Sequence, residues 1–361
     1  MVDFKQMIIS ESKNLVPSYF GLVMATGIVS LGTFFLEMNW IAYPLFYLNI
    51  GFCSILVFLN ILKLSYFRNA LFADLKSYNK GPGFFTVVAG FSILANQMLL
   101  LHSWIFAAKV FFWLAFGIWI LLSYTFFYRI TTTKQKVSME KGIDGTWLLI
   151  VVGIQAIAVT AGNLIVFSPD SKSFFTFLAL SMYMLGCFWY IFIMTLIFLR
   201  LTFFPLNPDD LGAPYWINMG ATAITTLAGS VILIQAPHGL DISAFFPFLK
   251  GFTLFFWVFG SWWIPLLLTL GFWRHFIMKV PAPMLYKGYN PSYWGMVFPL
   301  GMYTVCTLKL IEALGFDFLL LIPTFFVYVG IGSWILIALG LFNFVAKKYF
   351  HIDWDLLTRK G

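Results

Sequence analysis

Pro17-Ser18-Tyr19-Phe20-Gly21, near one end of the chain, returns as Pro291-Ser292-Tyr293-Trp294-Gly295 near the other, and each copy opens a long apolar run. The same succession of events recurs at Pro82-Gly83-Phe84-Phe85, at Asp144-Gly145-Thr146-Trp147 and at Ala213-Pro214-Tyr215-Trp216. The spacings of about 62 to 77 residues leave room for two membrane crossings per unit. The sequence therefore reads as five helical hairpins, with function expected where the five repeats meet.

Composition leads to the same place independently. The 361 residues are 61% hydrophobic and 10% charged, with 44 Phe and a mean hydropathy of +0.90, far from a soluble domain. No polar stretch is long enough for a separate module. The expected organisation is a short cytoplasmic N-terminus (1–16), one ten-helix transmembrane domain (17–341) and a short cytoplasmic C-terminus (342–361). A window of about 20 residues, the length that crosses a hydrocarbon core, places spans at 17–36, 43–63, 84–101, 104–125, 145–165, 174–199, 215–235, 248–272, 293–313 and 317–341. Peptide groups in lipid must pair within their own segment, so the spans are helices and the fold class is all-α integral membrane.

Charge sets the expected orientation. The segments before the first span, after each even span and after the last hold 18 of the 22 basic residues, among them Lys5, Lys63, Arg129, Arg200, Lys347, Arg359 and Lys360. The loops on the other face are short and carry mainly Glu37, Asp170, Lys172, Asp241 and Asp317. The positive-inside rule then puts both termini in the cytoplasm of a multi-pass plasma (inner) membrane protein. The net charge of +8 needs membrane lipid, not nucleic acid, to account for it. The first apolar run is long enough to remain as a span, so no cleaved leader is expected. Cys53, Cys187 and Cys306 lie singly in different spans, which implies neither a disulfide framework nor a metal set, and no cofactor is expected.

The two members of each hairpin differ. Odd spans carry Gly and small polar residues through their middles: Thr26, Gly27 and Ser30; Gly90 and Ser92; Gly153, Gln155, Thr160 and Gly162; Gly220, Thr222, Thr225, Thr226 and Gly229; Gly301, Thr304 and Thr307. Even spans are bulky and apolar. An inner ring of odd helices within an outer ring of even ones follows, in quasi-five-fold arrangement around a central path. Close helix packing is the alternative reading of the small residues. The middles of the odd spans hold no ionisable side chain, which disfavours proton pumping and favours a weakly binding path lined by hydroxyls and freed backbone groups. His102, His238, Lys309 and Glu312 lie toward span ends, and Lys309 with Glu312 at i, i+3 reads as a helix-surface ion pair. Pro299 interrupts the ninth span and is expected to kink it. Counting seven residues into each repeat gives one layer, Met24, Ala89, Val151, Gly220 and Phe298, in which a single large ring stands among smaller partners. Phe298 reads either as a gate that excludes water or as an ordinary core residue.

The string Trp294-Gly-Met-Val-Phe298-Pro299-Leu-Gly301-Met-Tyr303, with Gly81-Pro82-Gly83-Phe84-Phe85 and Pro214-Tyr215-Trp216-Ile-Asn-Met219-Gly220-Ala, resembles the tellurite-resistance/dicarboxylate transporter family. That family includes bacterial TehA, the plant slow-anion-channel (SLAC-type) proteins, fungal malate permeases and sulfite exporters. The resemblance covers essentially all ten spans and implies a ten-helix bundle, commonly a homotrimer, with a pore in each protomer occluded by a phenylalanine that matches Phe298. It favours Phe298 as the gate. Met24, Thr26, Gly27, Ala89, Gly90, Val151, Gly153, Gly220, Pro299 and Gly301 are the accompanying candidates for pore lining and helix kinking. The long phosphorylatable termini of the plant members are absent here, which leaves regulation by terminal phosphorylation unsupported.

The expected function is passage of small inorganic anions (chloride, nitrate, sulfite) or C4-dicarboxylates such as malate down their gradient. Basic residues toward the cytoplasmic mouth, Lys13, Lys80, Lys141, Arg274 and Lys287, either concentrate anions there or serve only topology. A proton-coupled dicarboxylate or sulfite carrier is the alternative within transport. An enzyme is disfavoured by the absence of HExxH, GxSxG, P-loop and paired intramembrane carboxylate patterns. A structural or sensory subunit is disfavoured by the polar odd helices.

Overall fold

The computed structural model describes residues 4–281 and 288–350; Lys287, Arg359 and Lys360 lie outside the described residues. The described chain is almost wholly helical, and ten helices are long and apolar enough to cross a membrane. They are α1 (Pro17–Phe35), α2 (Asn39–Tyr66), α3 (Gly81–His102), α4 (Ile105–Thr132), α5 (Gly145–Leu164), α6 (Pro169–Phe203), α7 (Ala213–His238), α8 (Ser243–Ile277), α9 (Pro291–Leu314) and α10 (Asp317–Tyr349). The even helices run several residues past their expected ends, because a helix continues into the interfacial region after its hydropathy has fallen. Three short helices were not foreseen, Phe4–Asn14 ahead of α1, Arg68–Leu75 after α2 and Met139–Gly142 ahead of α5.

Each odd helix packs along the even helix that follows it, and the odd helices also pack in the order α1–α3–α5–α7–α9, with α9 returning to α1. The odd helices bury 67–100% of their most apolar stretch and the even ones 17–44%. The small residues of the odd helices permit this close approach, and the bulky exposed rims of the even helices suit lipid contact.

The repeated motifs explain how the ring begins. Every odd helix opens with a tight 3-10 turn: Pro17–Phe20, Gly81–Phe84, Gly145–Leu148, Ala213–Trp216 and Pro291–Tyr293. Pro17, Pro82, Pro214 and Pro291 sit in the first positions of four of them, where the missing N–H would have had no intrahelical partner. The third turn uses Asp144 instead, whose carboxylate accepts the Thr146 N–H at 2.8 Å. The five turns pack on one another in the same cyclic order as their helices. Gly145 is required in this packing, since a Cβ there would lie 2.7 Å from the Pro214 carbonyl carbon. At the opposite face the hairpins reverse within a few residues, through Ser103 at φ 54° and Gly315 at φ 75°.

Candidate functional site

Two cavities lie on the axis of the ring, and all five odd helices line both. The one nearer the motif turns, about 40 Å3, is bounded by Met24 of α1, Thr86 of α3, Leu149 of α5, Ile217 of α7 and Phe298 of α9. The one nearer the hairpin ends, about 70 Å3, is bounded by Ile28, Ile93, Ala156, Ile224 and Met302 on the same five helices. On α1 and α9 the lining steps from Met24 to Ile28 and from Phe298 to Met302, one helical turn of about 5.4 Å. Phe298 and Met24 are among the largest side chains with under 2% or about 2% exposure. The occlusion between the two cavities is therefore one turn thick and apolar.

The lining residues fix the register of the layer. Leu149, Ala156, Val159 and Asn163 of α5 mark one stripe, matching Ile217, Ile224, Leu227 and Val231 of α7. At about 100° per residue, Val152 falls on that stripe and Val151 falls off it. The in-phase layer is thus Met24, Ala89, Val152, Gly220 and Phe298, and Val151 is corrected to Val152. The one-residue slip arises because the third repeat starts with a capping Asp144 ahead of Gly145, where the other repeats start on Pro or Ala-Pro.

Most of the other expected pore-lining residues face neighbouring helices. A Cβ on Gly27 would meet Gln97 Oε1 at 3.1 Å, one on Gly90 would meet Val23, one on Gly153 would meet Phe85, and one on Gly301 would meet Ile28 at 2.9 Å. Thr26 accepts the Trp334 indole N–H from α10 at 2.9 Å. Pro299 lies inside α9, whose helix runs unbroken from Trp294 to Leu314, and its ring faces Gly220. Among the hydroxyls expected on the path, Thr222, Thr225, Thr226 and Thr307 line neither cavity and donate to carbonyls three or four residues back in their own helices. That internal bond satisfies a hydroxyl packed between helices. Amide bonds also run between helices, as between Asn49 and Gln97 at 2.7 Å.

Polar residues line both cavities: Ser18, Thr86, Thr146 and Ser292 the smaller one, and amides the larger. Asn96 donates to Thr160 Oγ1 at 2.8 Å and accepts from Asn163 Nδ2 at 2.8 Å, and both amides line the wall. Lys309 also lines it. Its ammonium is bonded to Glu312 at 2.7 Å, as the i, i+3 spacing suggests, and lies 4.5 Å from the centroid of the Phe35 ring. The 4/3 stripe that runs from Phe298 through Met302 and Val305 to Lys309 is the signal that places this cation on the axis. Among the basic residues expected at the other mouth, Lys80 is paired with Asp74 at 2.8 Å. Arg274 is buried and lies off the axis, against α7 and α9.

Comparison with known proteins gives one family over nearly the whole chain. The family described as SLAC1, voltage-dependent anion channel, matches residues 14–342. A protein of Methanocaldococcus jannaschii named as an uncharacterized transporter is 26% identical over 324 residues, covering 85% of this chain and 88% of that one. A second transporter of the same organism is 26% identical over 306 residues, 81% and 82% of the two chains. A Mycobacterium tuberculosis protein named as an uncharacterized membrane protein is 35% identical over 161 residues, 44% of this chain and 78% of that one.

Proposed function

The chain belongs to the SLAC1 voltage-dependent anion channel family, and from that premise we propose that it passes anions along the axis of its helix ring, with Phe298 as the barrier. The observation that carries the reading is the pair of axial cavities, lined by all five odd helices and separated by one apolar turn at Met24 and Phe298. An anion crossing that turn must shed its water against a ring and a thioether that offer no hydrogen bond, so the closed layer blocks conduction by dewetting. Phe298 is the largest member of its layer, and its displacement joins the two cavities.

Selectivity then rests on pore width and dehydration cost. Among the described residues Lys309 is the single ionisable one in the lining of the two cavities, and Glu312 offsets its charge. Such a path binds weakly enough to release what it admits, as passage of chloride, nitrate, sulfite or a C4-dicarboxylate requires. The same lysine is the observation that favours the second reading, a proton-coupled carrier, since coupling needs a titratable group on the path. The surrounding reading has the protein in the plasma (inner) membrane with the basic face and both termini cytoplasmic. Its domain limits are 1–16, 17–341 and 342–361, and its assembly is the homotrimer that the family resemblance implies.

Flux into liposomes at clamped potential, for chloride, nitrate, sulfite and malate at two external pH values, tests both readings. Phe298→Ala should raise anion flux at least about tenfold, a barrier change of about 1.4 kcal/mol, equally at both pH values. Transport by the wild type that requires a proton gradient and is lost in Phe298→Ala would overturn the channel in favour of the carrier.

A further inference from the structure

Three buried cations end even helices on the basic face, and each ties its helix to the segment leading into the odd helix of the same hairpin. Lys63 of α2 donates to the Leu15 carbonyl at 2.7 Å. Arg200 of α6 donates to the Glu140 carbonyl at 3.0 Å. Arg274 of α8 donates to the Leu211 carbonyl at 2.6 Å. Leu15 and Leu211 occupy the same position, two residues ahead of their repeats. Their charge balance differs. Lys63 is neutralised by Asp74 at 2.7 Å and Arg200 by Asp210 at 3.2 Å. Among the described residues Arg274 has no carboxylate partner, and the sequence from His275 to Asn290 contains no Asp or Glu.

Where the other two cations have an aspartate, Arg274 has a cavity. A pocket of about 250 Å3 opens beside it between α7, α8, α9 and α10. Arg274 lines this pocket, is 8% exposed and has an Nε with no partner. A buried guanidinium with neither a carboxylate nor a full set of acceptors carries a desolvation cost that a bound oxyanion would offset. The rest of the wall is apolar, with Leu267, Leu270 and Ile337 running back along α8 and α10. The two even helices do not pack on each other here, so the apolar end faces the position of acyl chains.

We infer that this pocket is a binding site for a phosphoryl-type oxyanion, held by Arg274 off the transport axis. The guanidinium supplies the charge and the N–H groups that its bond to Leu211 leaves free, as phosphate recognition by Arg requires. The group is either the headgroup of an anionic lipid in the adjoining leaflet or a free oxyanion, and the apolar wall favours the lipid.

The test is the thermal unfolding midpoint of the purified full chain in neutral detergent, titrated with short-chain phosphatidylglycerol, short-chain phosphatidylcholine or inorganic phosphate. Binding is the readout, so the result stands apart from the transport reading. The expected result is a saturable rise with phosphatidylglycerol and none with phosphatidylcholine, with half-saturation at least about tenfold weaker in Arg274→Gln. Because Arg274→Gln also loses the bond to Leu211, the pocket-filling Leu270→Trp is run beside it and should weaken the response with Arg274 intact. A rise with inorganic phosphate that the same variants abolish would assign the site to a free oxyanion. No saturable rise with either phosphate source, or a rise that Leu270→Trp leaves unchanged, overturns the site.

Discussion

The ring of Pro299 fills the space where Gly220 has no side chain: a Cβ built on Gly220 would lie 2.7 Å from Pro299 Cγ and 3.1 Å from its Cβ. The two residues therefore set how closely α7 and α9 approach beside Phe298. Neither atom can swing aside, since both belong to a closed pyrrolidine ring anchored in a helix. Gly220→Ala should force α9 outward and cost about 1–3 kcal/mol, the range for overpacking a close-packed interior. Thermal unfolding in detergent should show this as a lowered midpoint, with most of the loss recovered in Gly220→Ala/Pro299→Ala. A single variant as stable as the wild type would mean that the contact relaxes without cost.

Met24 and Phe298 share the wall of one cavity, so their contributions to the barrier should not be additive. With the phenyl ring in place, Met24→Ala removes a flexible chain from a layer that stays closed, and flux should change by less than about threefold. Once Phe298 is alanine, the same truncation widens the remaining constriction and should raise flux further by a clearly larger factor. Flux measured for the two single variants and the double variant in identical liposomes decides this. Equal factors in both backgrounds would place the two side chains in independent barriers.

Much of this architecture was legible in the sequence, and the illegible part has identifiable causes. Span number and the division into buried and exposed helices follow from hydropathy and small-residue content, which act locally. Phe298 and Met24 could be found by counting from a repeated motif. Val151 was misplaced by one residue because Asp144 caps its helix where proline opens the others. The destination of Thr222, Thr225 and Thr226 could not be read from residue type, because a threonine can face an axis or bond back to its own helix, and here it bonds back. The polar helix Phe4–Asn14 carries no apolar periodicity to announce it. Arg274 read as a residue of the cytoplasmic mouth or of topology, since the carbonyl that holds it lies 63 residues away.

Lys309 should tune conduction through its charge. Lys309 lines the larger axial cavity, and its ammonium is partly offset by Glu312, which is half exposed. Lys309→Met should lower anion flux by roughly two- to fivefold at low ionic strength, and the effect should fade toward 1 M salt, where the Debye length shrinks to about 3 Å. Glu312→Gln should do the reverse, because it frees the ammonium. Flux that responds to neither substitution at low salt would remove Lys309 from the conduction path.

Asp74 makes the chain sensitive to acid. Burial pushes its carboxyl up, but hydrogen bonds and charge from Lys63 and Lys80 outweigh burial and hold it below the ordinary carboxylate range. A carboxylate depressed in the folded state contributes stability above its unfolded pKa of about 3.9, and that contribution is lost as pH falls through the lower folded value. Asp74→Asn should therefore destabilise the protein at neutral pH, and the gap to the wild type should begin to narrow near pH 4 and close below it. The partner that matters is Lys63, whose side chain is 3% exposed, whereas Lys80 is 57% exposed and screened. Leaving Lys63 buried without its anion should cost about 3 kcal/mol, the low end for breaking a buried pair, because Asp74 retains some contact with solvent. Unfolding midpoints of both proteins from pH 7 to pH 3 check the size and the sign. A gap that stays constant through that range would trace the loss to shape instead of charge.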